Sequence, residues 1–188
     1  MRQKLGRRIG YIFLLCILSE SPALWGMDDS SQQEILEPFV TGFRAGISDS
    51  HNEQDFSSYE LFFNSRLPWS WHVSSRWYIG TQIEIMAALL RARTTSGFIG
   101  SAGPVLYLKK HGGRLTVHGG VAPAYLSEDR YGEDDLSGHF QVMTQAGLRY
   151  HIALDLSAAY VFQHMSNADL EQPNPGLNLH MIEVSYSF

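Results

Sequence analysis

The 188-residue chain carries 14 Lys and Arg against 19 Asp and Glu, a formal charge of −5 at pH 7. That mildly acidic balance gives no support to a nucleic-acid partner. The one cysteine, Cys16, lies in the first 26 residues, so the rest of the chain has no disulfide, no Cys-ligated metal and no thiol nucleophile.

A basic head of Arg2, Lys4, Arg7 and Arg8 precedes an apolar run from Ile9 to Leu18 and the small residues Ser21-Pro22-Ala23. This is the layout of a secretory signal peptide, too short for a membrane-spanning helix. Cleavage is expected after Ala23 or after Gly26, and Leu15 is too large to precede a lipoprotein cysteine. Residues 27–188 then make one exported domain. Within it no stretch approaches the ~20 consecutive apolar residues of a spanning helix. Period-two alternation recurs instead, broken by Gly, Asn, Asp and Ser clusters.

Eight runs follow in order. Phe39, Thr41, Phe43, Ala45 and Ile47 alternate with Val40, Gly42, Arg44 and Gly46. Tyr59, Leu61, Phe63 and Leu67 alternate with Glu60, Phe62, Asn64 and Arg66. Trp77, Ile79, Ile83, Ile85, Ala87 and Leu89 alternate with Gly80, Gln82, Glu84 and Ala88. The fourth (Phe98 to Leu108) and fifth (Leu115 to Leu126) are Gly-rich and carry Pro104 and Pro123, which weaken a strand assignment. Phe140, Val142, Ala146, Leu148 and Tyr150 form the sixth, Leu154 to Ser166 the seventh, and Leu177 to Phe188 the eighth.

The sorting of charge decides which face points where. Arg44, Arg66 and Arg149 share the polar faces with Glu60, Glu84 and Glu183, a set able to neutralise itself in a narrow interior. Eight strands leave a lumen just wide enough to be filled by side chains. The opposite faces are broad and aromatic, as a lipid-facing belt requires. Trp69, Trp71, Trp77 and Tyr78 gather near one turn and suit an interfacial girdle. The expected fold is therefore all-β, an eight-stranded antiparallel outer-membrane β-barrel. A soluble, lipocalin-like barrel is the alternative.

With a periplasmic N-terminus, Ser127–Gly138 and Asn167–Pro175 become outer loops. Lys109–Gly113 and His151-Ile152-Ala153 become inner turns, and Pro68–Arg76 a longer inner turn. Long loops outside and short turns inside is the usual asymmetry. It puts the end of the seventh run at the outer rim. There His164 and Ser166 share the parity of Leu156, Ala158, Tyr160 and Phe162, the apolar face. Residues two apart on a strand are about 6.6 Å apart on one face, a gap an imidazole can bridge. Counting back from Phe188 through Tyr186, Val184 and Ile182 reaches His180 and Asn178. Pairing Ser166 with Gly176 sets His164 opposite Asn178, so three polar groups meet on the outside wall.

His164-x-Ser166-Asn167, then Gln172-Pro173-Asn174 and Gly176 in a C-terminal barrel hairpin, resembles the PagL-type lipid A 3-O-deacylase family. These enzymes are eight-stranded outer-membrane barrels that hydrolyse the ester-linked acyl chain at position 3 of lipid A. The motif covers about fifteen residues, and the barrel pattern covers the rest of the exported chain. The resemblance implies Ser166 as nucleophile and His164 as general base and then acid. It implies oxyanion or supporting roles for Asn167 and Asn174, with loop backbone as a further donor. Where the family carries Glu as third member, this chain has Asn178. An amide oxygen can fix the imidazole tautomer but cannot neutralise an imidazolium. The departure implies slower chemistry or a different supporting acid. Glu183 falls on the inward parity, whereas Asp169 and Glu171 lie in the loop.

The expected partners are lipid A or lipopolysaccharide and the outer membrane itself, with a homodimer left open. No cofactor, metal, nucleotide or redox motif is present. In the competing reading the chain is a non-catalytic structural or adhesive barrel, and His164 and Ser166 are interfacial polar residues. His180 reads as interfacial rather than as a second base. Glu128-Asp129 and Glu133-Asp134-Asp135 read as a solvated loop, or as a holder of divalent cations; Arg91 and Arg93 read as a solvated rim, or as contacts to lipid A phosphates.

Overall fold

Alternation along the chain becomes strand after strand in the structure, a computed structural model describing residues 39–49, 55–93, 95–132, 134–172 and 174–188. The expected signal peptide, Cys16, Glu133 and Pro173 lie outside the described residues. The strands are β1 (Phe39–Ser48), β2 (Phe56–His72), β3 (Trp77–Ala92), β4 (Thr95–Lys110) and β5 (Leu115–Leu126). A two-residue hairpin, β6 (Arg130–Tyr131) and β7 (Asp134–Asp135), precedes β8 (Phe140–His151), β9 (Leu156–Ser166) and β10 (Leu177–Ser187). Eight of them close in the order β1-β10-β9-β8-β5-β4-β3-β2, every pair antiparallel. The sixth, seventh and eighth runs of the sequence are β8, β9 and β10.

Closure leaves no free edge, which a strand in lipid requires. At one rim the start of β1 meets the residue after β10, with Phe39 and Phe188 exchanging backbone hydrogen bonds of 3.3 and 3.0 Å. The faces sort as the parity predicts. Phe43, Ile47, Leu61, Ile85, Leu106, Val121, Tyr160, Ile182 and Val184 are all exposed on the outer wall, the pattern of a lipid-facing belt.

Inside, Arg44, Glu60 and Glu183 are fully buried, with Glu84 and Arg149 nearly so. Arg44 donates to Glu183 at 2.8 Å and to Glu84 at 2.7 Å, while Arg149 Nε donates to the other oxygen of Glu183 at 2.9 Å. Gln163 and Gln145 donate to Glu60 and Glu84 at 3.0 and 2.8 Å. Buried charges are tolerated when paired and hydrogen-bonded in this way.

Three expectations need correction. Arg66 does not join the interior set: it is exposed in mid-strand, where the register of β2 begins to shift. Tyr78 is buried and packs edge-on against Tyr107, so it is no part of the girdle, where Trp69 and Trp71 remain exposed. The turn drawn from Pro68 to Arg76 is shorter, because β2 runs on to His72. Pro68 has no N–H to give, and the ladder absorbs it as a bulge between Arg66 and Ser70, with Thr81 donating to the Trp69 carbonyl at 2.7 Å. The fourth and fifth runs are strands as expected, with Pro104 and Pro123 inside them. Both prolines face the same seam, where β4–β5 pairing lapses between Ser101↔Ala124 and Val105↔Gly120 and resumes in the same register.

The β1–β2, β3–β4, β5–β8 and β9–β10 connections share the other rim. The acidic loop there is not wholly solvated: Tyr131 and Leu136 are buried, and Tyr131 packs edge-on against Phe56 at 5.3 Å between centroids. Burial, with the charges of Glu128 and Asp129 adding to it, pushes the Tyr131 phenol up to about 12.

Candidate active site

The site grows out of strand pairing at this rim. β9 keeps its parity to the end, so Tyr160, Phe162, His164 and Ser166 face outward while Val161, Gln163 and Met165 are buried. On β10, Asn178 and His180 face outward between Leu177, Leu179 and Met181. Register then fixes the neighbours: Thr144 on β8 pairs with His164, and His164 pairs with Asn178. Ser166 stands one rung nearer the rim, paired with Val142.

His164 Nδ1 and Asn178 Oδ1 are 2.7 Å apart. An amide oxygen only accepts, so Nδ1 carries the proton and Nε2 keeps its lone pair. The amide orientation is fixed in turn, because Asn178 Nδ2 donates to the Asp49 carboxylate at 2.9 Å. Asp49 also donates its backbone N–H to the Asn178 carbonyl at 3.2 Å, extending β1 by one pair beyond Ser48↔Leu179. Its position continues the outward parity of Phe43, Ala45 and Ile47. One lateral row, Thr144–His164–Asn178–Asp49, thus crosses four strands of the wall, with Ser166 beside it.

Ser166 Oγ and His164 Nε2 have no hydrogen-bond partner among the described residues, so the expected Ser–His hydrogen bond is not formed. The imidazole instead leans toward Asn178. Gly176 makes room for it: at φ +67°, a Cβ there would lie 3.1 Å from His164 Cε1.

Asn167 and Asn174, expected as oxyanion or supporting residues, are bonded to each other and to the loops around them. Asn167 is buried, and its amide donates to the carbonyls of Ser137 and Glu171 at 3.1 and 2.9 Å. Its backbone N–H donates to Asn174 Oδ1 at 3.2 Å, and Asn174 Nδ2 donates to Asp169 at 2.9 Å. Both asparagines hold the loop that turns after Ser166 through Ala168 and Asp169, each with positive φ. Asp169 is engaged there rather than at His164, and Glu183 is committed to the interior arginines. His180 is bonded to the Tyr160 hydroxyl and packs on Phe162. Among the described residues, no group of three or more His, Asp or Glu is placed to hold a metal.

Sequence reasoning set Ser166, His164 and Asn178 on one stretch of outer wall, as the register has them, and did not place Asp49 beside them. The signal was present: its parity continues the first run by one step, and closure must set the first strand beside the last.

Fold and wall together define a small transmembrane barrel carrying a hydrolase-type polar row on its outer face. The family model described as Lipid A 3-O-deacylase (PagL) matches residues 57–187. The chain belongs to that family. It is 25% identical over 77 residues to a lipid A deacylase PagL of Bordetella bronchiseptica, a match covering 41% of this chain and 43% of that relative, less than half its length. Among solved structures, one titled as the outer membrane enzyme PagL superposes with a TM-score of 0.69 at 19% identity, over 80% of this chain and 99% of that one. The N-terminal barrel domain of Pseudomonas aeruginosa OprF gives 0.52 at 11% identity, over 81% and 98%. These likenesses establish the eight-stranded outer-membrane barrel, and the family model carries the membership.

Proposed function

We propose that the protein removes the ester-linked 3-hydroxyacyl chain at position 3 of lipid A, with the site rim facing the outer leaflet. The observation that carries this reading is the His164–Asn178 hydrogen bond beside Ser166 on a wall otherwise built for lipid. Polar groups facing hydrocarbon are costly unless they serve a function.

With Nδ1–H held by Asn178, Nε2 is the base. It takes the Ser166 proton as Oγ attacks the ester carbonyl, and the carbonyl electrons move to oxygen. Collapse of the tetrahedral intermediate expels the sugar oxygen, which takes the proton from Nε2 and leaves an acyl-Ser166. Water then attacks as Nε2 takes its proton, and collapse frees the fatty acid while Nε2 returns the proton to Ser166 Oγ. The acyl tails of the substrate already lie along the barrel wall, so no lipid has to be extracted. Asn167 and Asn174 hold the loop beside Ser166, where they support the oxyanion side of the site. Every named residue comes from one copy of the chain.

Purified barrel incubated with lipopolysaccharide, with lipid A analysed by mass spectrometry, tests the reading. Loss of one 3-hydroxyacyl mass with the natural chain, and not with Ser166→Ala, is expected. Identical spectra would leave a structural barrel.

A further inference from the structure

We infer that Asp49 is the charged member of this site, a positioning residue that acts on His164 through the Asn178 amide. The inference rests on the hydrolase reading above and adds the acid that Asn178 fails to supply.

Three observations converge on it. Asp49 is held twice to the same residue, by backbone N–H to the Asn178 carbonyl at 3.2 Å and by carboxylate to Asn178 Nδ2 at 2.9 Å. Asn178 Oδ1 is consequently the atom left facing His164, at 2.7 Å. Lastly, Asp49 lies outside residues 57–187, the segment matched by the family model, so it belongs to the part of the chain where a compensating group escapes a motif.

The chemistry is a relay of orientation and polarity, with no proton passed along it. A carboxylate accepts only, so it forces the amide to present oxygen to the imidazole; the oxygen forces the proton onto Nδ1. When Nε2 takes the Ser166 proton, the imidazolium faces an amide dipole whose far end rests on a negative charge. A chain of hydrogen bonds polarises in this way, each bond strengthening the next. A direct His–Glu contact is thereby replaced by His–Asn–Asp, with the acid supplied by β1 at the barrel's closing seam instead of by β10.

A four-variant comparison tests it, using lipopolysaccharide as substrate, with rates normalised to folded barrel scored by heat-modifiable migration in gels. Asp49→Asn keeps an acceptor and removes only the charge. It is expected to lower kcat about tenfold with KM held, as loss of a charge felt chiefly in the transition state does. In an Asn178→Glu background, where the carboxylate touches His164 directly, the same Asp49→Asn change is expected to cost less than about twofold. A residue that merely braces the loop would lose equally in both backgrounds, and that result, or no loss in either, overturns the inference. Ser166→Ala separates the two readings. If it stays active, the hydrolase site itself is wrong; if it is inert while Asp49→Asn keeps its full rate, only the role of Asp49 falls.

Discussion

Two polar networks lie a strand's thickness apart in this barrel and follow opposite rules. Inside, Arg44 and Arg149 are locked to Glu84 and Glu183 by four contacts of 2.7 to 2.9 Å, and glutamines complete the shell. On the outer wall, the row Thr144–His164–Asn178–Asp49 is saturated on one side only. It ends at an imidazole nitrogen and a serine oxygen that engage nothing among the described residues. A buried network closed on its own charges holds a shape, whereas a half-exposed one left open at the nucleophile has capacity for chemistry.

The contrast can be broken at either end. Ser166→Ala should have the largest effect, a fall of about 10³-fold or more in deacylation, while surface substitution leaves unfolding within about 0.5 kcal/mol. Lipid A mass spectrometry and a urea series on the same preparation would show both. Arg44→Met should do the reverse. It strands Glu84 and leaves Glu183 with Arg149 alone, which costs about 3–5 kcal/mol when one partner of a buried ion pair is removed. The urea midpoint should drop while the rate per folded barrel persists. Between these lies Gly176→Ala. A Cβ at φ +67° costs about 1–2 kcal/mol and pushes on His164 Cε1, and misplacing the base should slow turnover about tenfold. His180→Gln sharpens the comparison from the quiet side. His180 is already spent on Tyr160 and Phe162, so the rate should change less than about threefold.

How legible was this from sequence? Alternation showed the strands and their faces because lipid outside and packed charge inside impose opposite chemistries on odd and even positions. Counting from both ends of the last hairpin set His164 opposite Asn178, since a short hairpin fixes its own register. Local periodicity failed where tertiary placement decides. Arg66 has the inward parity but is exposed where a bulge begins, and Tyr78 belongs by composition to an aromatic belt yet turns inward onto Tyr107. Pro68 reads as a turn, but a bulge accommodates it. The service of Asn167 to two loops depends on side-chain bonds that no spacing encodes. Asp49 was hidden for a different reason: its partner, Asn178, is 129 residues away, across a junction whose register no hairpin dictates.

That junction has a consequence for biogenesis. β1 and β10 are the first and last barrel strands to leave the ribosome, and zipping them together is the step that turns a curled sheet into a cylinder. Contacts between such distant segments carry the greatest loop-closure cost and are slow to form. An unzipped chain holds Ser166 and His164 on one hairpin with no carboxylate behind Asn178. On the role proposed for Asp49, the full esterase rate waits for this seam to close.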